Sequence, residues 1–200
     1  MPQGIGGSNP PPSASHMEIF LRPDKAGAIM PSGNELSHLI TDLAHLEDVH
    51  AVVEFGPGTG VFTREIINKA PKDVVLISIE NDATFMPRLQ KEFPSVHFYH
   101  DVASSLGTHL KEHNITQCDR IISGLPWSVF SEKLQQETLS AAHASLKEGG
   151  LFLTFSYIHS QYFPGGVRFR HMLENTFSHV IRSPIAWKNV PPAFVYIAQK

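Results

Sequence analysis

Ala51-Val52-Val53-Glu54-Phe55-Gly56-Pro57-Gly58-Thr59-Gly60 joins the apolar run of a short buried strand to three glycines at alternate positions. The chain then passes into Val61–Ala70, where Phe62, Ile66 and Ala70 fall at helical spacing before Pro71 closes the segment. A strand, a glycine turn and an amphipathic helix in that order form the first half of a strand-helix-strand unit. Without side chains, Gly56, Gly58 and Gly60 let the backbone approach a ligand and let the helix start tightly against the strand.

The same alternation continues on the C-terminal side. Val74-Val75-Leu76-Ile77-Ser78-Ile79-Glu80 is nearly continuous in apolar residues, as in a strand covered on both faces. A helix carrying Met86, Leu89 and Phe93 leads to a strand at 96–100, and Asp119-Arg120-Ile121-Ile122-Ser123 reads as the fourth strand. A long helix around Leu134, Leu139, Ala142 and Leu146 is expected to end at Gly149-Gly150, before a fifth strand at 151–155. A helix near 169–177 precedes two β-like runs, Val180-Ile181 and Phe194–Ala198, which read as a hairpin with a tight connection at the sheet edge. The fold class is therefore α/β, a Rossmann-like seven-stranded and mostly parallel sheet with a C-terminal antiparallel hairpin and helices on both faces.

On the N-terminal side, Leu36, Leu39, Ile40, Leu43 and Leu46 recur on one helical face, with Ser32 and Glu35 at capping-box spacing. Residues 1–16 are rich in Pro, Gly and Ser and end in Ser-His, which reads as an expression-vector remnant. Residues 17–200 then form a single domain whose segment 17–47 is expected to cover the substrate or meet a membrane.

Composition narrows the function. A chain with 42% hydrophobic and 18% charged residues can build a sizeable core, and its net charge of −3 supplies no general basic field for long nucleic acid. The one cysteine, Cys118, has no partner for an internal disulfide and reads as a buried hydrophobe in a reducing cytoplasm. No run approaches the roughly 18 apolar residues of a membrane span, so any membrane contact is expected to be peripheral. The twelve histidines show no clustered ligand spacing, and no metal is expected.

Three carboxylates stand at strand ends. Glu54, before the glycine turn, suits a cationic amino-acid group better than a pyrophosphate. Glu80, followed by Asn81, ends the second strand and can accept from both hydroxyls of a ribose. Asp101, followed by Val102, is placed to meet an adenine amino group. Together with the turn and the segment Asp119–Trp127, these residues resemble the motif series of class I S-adenosylmethionine methyltransferases. The resemblance covers nearly all of the chain from Ala26 onward. It implies S-adenosylmethionine as cofactor, S-adenosylhomocysteine as product, and a site of Glu54, Gly56, Pro57, Gly58, Thr59, Gly60, Glu80, Asn81, Asp101, Val102, Ser123 and Gly124.

The acceptor is read from the fourth-strand loop. Ser123-Gly124-Leu125-Pro126-Trp127 resembles the Asn-Leu-Pro-Tyr type of loop in ribosomal RNA adenine dimethyltransferases, with Gly124 in the place of the asparagine. That asparagine accepts from the adenine amino group, and glycine cannot. Neither the extra helical domain nor the basic surface needed for gripping RNA is expected from these residues. The loop, the segment Gly27-Ala28-Ile29-Met30-Pro31-Ser32 and the segment Trp187-Lys188-Asn189-Val190-Pro191-Pro192-Ala193 are similar to those of bacterial phospholipid N-methyltransferases. That family uses an N-terminal amphipathic basic helix, which Ile19, Phe20, Leu21, Arg22 and Lys25 resemble in part.

This resemblance implies stepwise methylation of phosphatidylethanolamine toward phosphatidylcholine by a monomer. The enzyme would be cytoplasmic, peripheral on an anionic surface at the inner face of the bacterial cytoplasmic membrane, and without a nucleic-acid partner. Leu125, Pro126, Trp127, Tyr157, Trp187 and Asn189 are the expected substrate contacts, with Trp127 and Trp187 as aromatic walls for a methylated ammonium. Tyr157 and His159 are the candidate proton acceptors. Methyl transfer to RNA or to a small molecule uses the same donor site and stays open as an alternative, as does a non-catalytic membrane module.

Overall fold

In the computed structural model residues 33–200 are described. The vector-like residues 1–16, the segment Gly27–Ser32 and the basic run at 19–25 lie outside them. The strands are β1 (Ala51–Phe55), β2 (Val75–Glu80), β3 (His97–His100), β4 (Cys118–Ser123), β5 (Leu146–Tyr157), β6 (His179–Arg182) and β7 (Ala193–Gln199). The helices are α1 (Asn34–Leu43), α2 (Val61–Lys69), α3 (Met86–Glu92), α4 (Leu106–Glu112), α5 (Glu132–Ser145) and α6 (Pro164–Thr176). The strands form one sheet in the order β3-β2-β1-β4-β5-β7-β6. The first five are parallel, and β7 runs antiparallel between β5 and β6. The order reverses between β1 and β4, so the loops after these strands open into one crevice at the carboxyl edge.

β1 is buried over its whole length, and its alternation sorts the core. Val53 and Phe55, with Ile77 and Ile79 of β2, face a cluster that takes in Leu106 and Leu110 of α4, Leu139 of α5 and Phe169 of α6. Glu54 is directed the other way, toward α2, and is paired in register with Ser78. Fully burying side chains such as Ile77 or Phe152 stabilises the fold by roughly 1.5–3 kcal/mol each.

Four local expectations change. Gly33, not Ser32, precedes the first helix, and no side chain caps it. Its N–H is held by Asn189 Oδ1 at 2.8 Å. Helix α4 was missed between β3 and β4, because Leu106 and Leu110 are too few to mark a periodic pattern in a seven-residue helix. Leu146, read as helical, begins β5, which runs through Gly149 and Gly150. Gly149 has φ of 74° and the register against β4 shifts there, a bulge that glycine accommodates. Finally, the connection between β6 and β7 is not tight. It spans residues 183–192 and is tied back by the bridge Ala186–Ala193.

Candidate functional site

Glu54 is fully buried, and its Oε2 accepts from Thr63 Oγ1 at 2.7 Å and Ser78 Oγ at 3.0 Å. Its Oε1 has no hydrogen-bond partner among the described residues. Burial raises the carboxyl pKa to about 7, against the two hydroxyl bonds that lower it and with a smaller upward push from Glu80. The turn that follows is left-handed at Gly56, Gly58 and Gly60. A Cβ on Gly58 would meet nothing within 4 Å, so the turn has open space on this side. Gly60 has a different reason: a Cβ there would lie 2.5 Å from Phe93 Cε2, so this glycine lets α2 start beneath the end of α3.

Glu80, at the carboxyl end of β2, is buried and ties the turn in place. Its Oε2 accepts from the Gly58 N–H and its Oε1 from the Asp82 N–H, both at 2.9 Å. Each oxygen keeps capacity for a further bond. Asn81 is exposed beside it. Asp101 follows β3, its N–H bonded to Glu80 O at 3.1 Å, so both acids stand at one edge. Its Oδ1 accepts from the Val102 N–H at 2.7 Å, and its Oδ2 lies 3.0 Å from His109 Nε2. The Val102 amide first, and then His109 and Ser105, hold the Asp101 carboxyl below its ordinary value despite some burial. Val102 itself is exposed.

The loop after β4 lies against the glycine turn. The Gly124 N–H donates to Phe55 O at 2.7 Å, and a Cβ on Gly124 would sit 2.6 Å from Gly56 O. A Cβ on Gly56 would in turn meet Leu125 Cδ2 at 2.9 Å. Ser123 Oγ accepts from the Leu125 N–H at 3.3 Å and from Trp127 Nε1 at 3.1 Å. Leu125 and Pro126 are half-buried at the crevice.

The aromatic walls expected for the acceptor are not brought together. Trp127 is 3% exposed and stacks on Phe169 at 4.5 Å, with Phe152 edge-on at 5.8 Å. Its face is used by the core. Trp187 is 69% exposed on the 183–192 connection, and Asn189 is buried with its amide spent on Gly33 N and Pro191 O. Tyr157 ends β5 and His159 follows, their rings parallel at 5.7 Å. Burial pushes the Tyr157 hydroxyl, already protonated at neutral pH at its ordinary value, further up to about 12. Among the described residues no group of His, Cys, Asp and Glu is arranged to hold a metal, and no helix is long and apolar enough to cross a membrane.

The profile of the ribosomal RNA adenine dimethylases matches residues 34–153, from α1 into β5. The chain belongs to this family. It is an S-adenosylmethionine-dependent methyltransferase. An ornithine lipid N-methyltransferase from Singulisphaera acidiphila is 28% identical over 138 residues, 68% of this chain and 72% of that protein. A ribosomal RNA small subunit methyltransferase A from Blochmanniella pennsylvanica is 32% identical over 82 residues, but these are 40% of this chain and 30% of the relative. The fold is that of the N-methyltransferase NodS from Bradyrhizobium japonicum, solved with S-adenosyl-L-homocysteine. The TM-score is 0.69 at 12% identity, over 89% of this chain and 96% of that one.

The residues present fit this cofactor. A buried carboxylate oxygen without a partner, an open glycine turn and a strand-end carboxylate with spare acceptor capacity suit an amino group, a backbone-lined ligand and a ribose, respectively. Sequence reading passed over Thr63, Ser78 and His109. Ser78 left a trace, as the lone polar residue inside the apolar run of β2. His109 left none, because only the fold brings it to Asp101.

Proposed function

We propose that this chain N-methylates the amine of a phospholipid headgroup, phosphatidylethanolamine and its mono- and dimethyl forms, at a membrane surface. The observation that carries this reading is the contact between the two loops. With Gly56 O only 2.6 Å from where a Cβ of residue 124 would stand, the loop has no room for the asparagine whose amide takes up an adenine amino group. The relative named as an ornithine lipid N-methyltransferase supports a lipid amine on independent grounds.

When bound, S-adenosylmethionine supplies a methyl group already activated on a sulfonium, so alignment and exclusion of water are the protein's main tasks. In this reading Glu54 and the turn Gly56–Gly60 receive its amino-acid end. Glu80 beside Asn81 receives the ribose, and Asp101 with Val102 receives the adenine. The acceptor nitrogen lies over Ser123, Gly124, Leu125 and Pro126. An alkylammonium must lose a proton before it attacks. Tyr157 keeps its own proton up to about 12, so it orients the headgroup, while His159 and water take the proton away.

The test uses methyl-labelled S-adenosylmethionine with phosphatidylethanolamine vesicles or with ribosomal RNA. Label in mono-, di- and trimethylated lipid, resolved by chromatography, is the expected result. Label in RNA with none in lipid refutes the reading.

A further inference from the structure

Charge is unevenly spread along this chain. Residues 149–200 hold five of the 16 Lys and Arg but only one of the 19 Asp and Glu, within a net charge of −3. Several of these cations are committed elsewhere. Arg168 bonds inward to Gln135 and Phe130 O, Arg170 faces Glu174, and Lys200 lies beside Glu148 at the opposite sheet edge. Arg182 and Lys188 remain, and among the described residues neither meets a carboxylate. Arg182 donates to Gln161 and lies over the Phe194 ring.

The segments that carry these two cations, and the turn after β5, also leave large apolar side chains in solvent. Tyr162 is 75% exposed, Ile181 63% and Val190 71%, with Trp187 beside them in the sequence. Ile158 and Gln161 line one open groove of about 580 Å3 together with Ile181, Arg182 and Ile185, so the turn after β5 and the 183–192 connection form one continuous surface. Because β7 is antiparallel to β5, Ala193 lies opposite Tyr157, and this surface shares the carboxyl edge of the sheet with the glycine turn.

We propose that this surface is the seat of the enzyme on an anionic lipid bilayer, with Trp187 and Tyr162 at the headgroup level and Arg182 and Lys188 toward the lipid phosphates. Amphipathic aromatics beside unpaired cations match the apolar and charged layers of a membrane interface. A nucleic acid would match only the cations. The placement presents the donor crevice to the layer that carries the headgroups. It rests on the reading of the acceptor as a lipid.

Sedimentation of the full chain with phosphatidylcholine vesicles, with and without phosphatidylglycerol, tests it. Binding is expected to need the anionic lipid and to fall about fivefold for each cation removed in Arg182→Gln and Lys188→Gln. Trp187 emission is expected to shift to the blue and to be quenched by brominated lipid, and Trp187→Phe is expected to abolish both signals. Unchanged vesicle binding by the two Gln variants, or a blue shift that survives Trp187→Phe, overturns the proposal. So does loss of RNA binding by these variants while vesicle binding stays intact. Methylation of phosphatidylethanolamine in detergent micelles separates the two claims. Micellar lipid methylated by a protein whose variants bind vesicles normally refutes the seat and leaves the acceptor standing. Weakened vesicle binding in the variants, with no lipid methylated in either form, refutes the acceptor and leaves the seat.

Discussion

Replacing Glu54 with Gln removes a titrating group from a fully enclosed position while keeping the side chain's shape. The carboxyl is raised from 4.5 to about 7, chiefly by burial, so between these values the folded chain holds a proton that the unfolded chain has released. Stability therefore falls as pH rises through this interval, by about 3 kcal/mol in all. Gln carries no such penalty. Urea unfolding of the cofactor-free protein is expected to show Glu54→Gln gaining on the wild type by about that amount from pH 4.5 to pH 7.5. His97 and His143, whose values burial lowers, give an opposite slope below 6.5, but they are in both proteins and cancel in the difference. Asp82, Asp101 and Asp119 are held below 3.8, so the stability they contribute is lost only in acid beneath the window. Saturating S-adenosylmethionine is expected to flatten the wild-type slope, because a cation beside Oε1 favours the ionised form. A difference between the two proteins that does not vary with pH would refute this account of Glu54.

Four further outcomes follow from the same geometry. If Glu80 receives the ribose as proposed, Glu80→Ala is expected to weaken S-adenosylmethionine binding by about 1–3 kcal/mol in calorimetry, since it also leaves the Gly58 and Asp82 amides without their charged acceptor. Gly124→Asn is expected to destabilise the fold by about 1–3 kcal/mol through overpacking against Gly56 O, with no gain in RNA methylation. The two tryptophans are expected to separate in chemical denaturation: Trp127→Ala costs about 3–5 kcal/mol as a core deletion, and Trp187→Ala stays within about 0.5 kcal/mol. Tyr157→Phe is expected to leave the shape of the kcat–pH profile unchanged from about pH 6 to pH 9, because the hydroxyl it removes does not titrate there.

The placement of the three carboxylates was legible because each sits where the strand-helix alternation ends a strand. Glu54, Glu80 and Asp101 could be placed at one edge from the pattern alone, since a parallel sheet aligns its carboxyl ends. Their partners were less visible. Thr63 reaches Glu54 from α2, whose start Gly60 lets pass beneath the end of α3, and His109 depends on a helix too short to show a period. The different environments of the two tryptophans were not legible, for a plain reason. Trp127 and Trp187 are the same residue type in loops of similar composition, and only tertiary packing sends one under Phe169 and the other into solvent. Asn189 likewise looks like a ligand contact in the sequence, yet it joins the 183–192 connection to the start of α1. The length of the β6–β7 connection was signalled by Ser183-Pro184 and Pro191-Pro192, whereas the bridge Ala186–Ala193 that ties it back pairs two residues of no distinctive pattern.

Competition in one tube decides between a lipid amine and an RNA base as the acceptor. Phosphatidylethanolamine vesicles and ribosomal RNA are supplied together with carbon-13 methyl S-adenosylmethionine, and mass spectrometry follows the label in the lipid extract and in the nuclease digest. Labelled methyl groups are expected on the headgroup nitrogen, with none on adenine. Labelled dimethyladenine with an unmodified headgroup would contradict it.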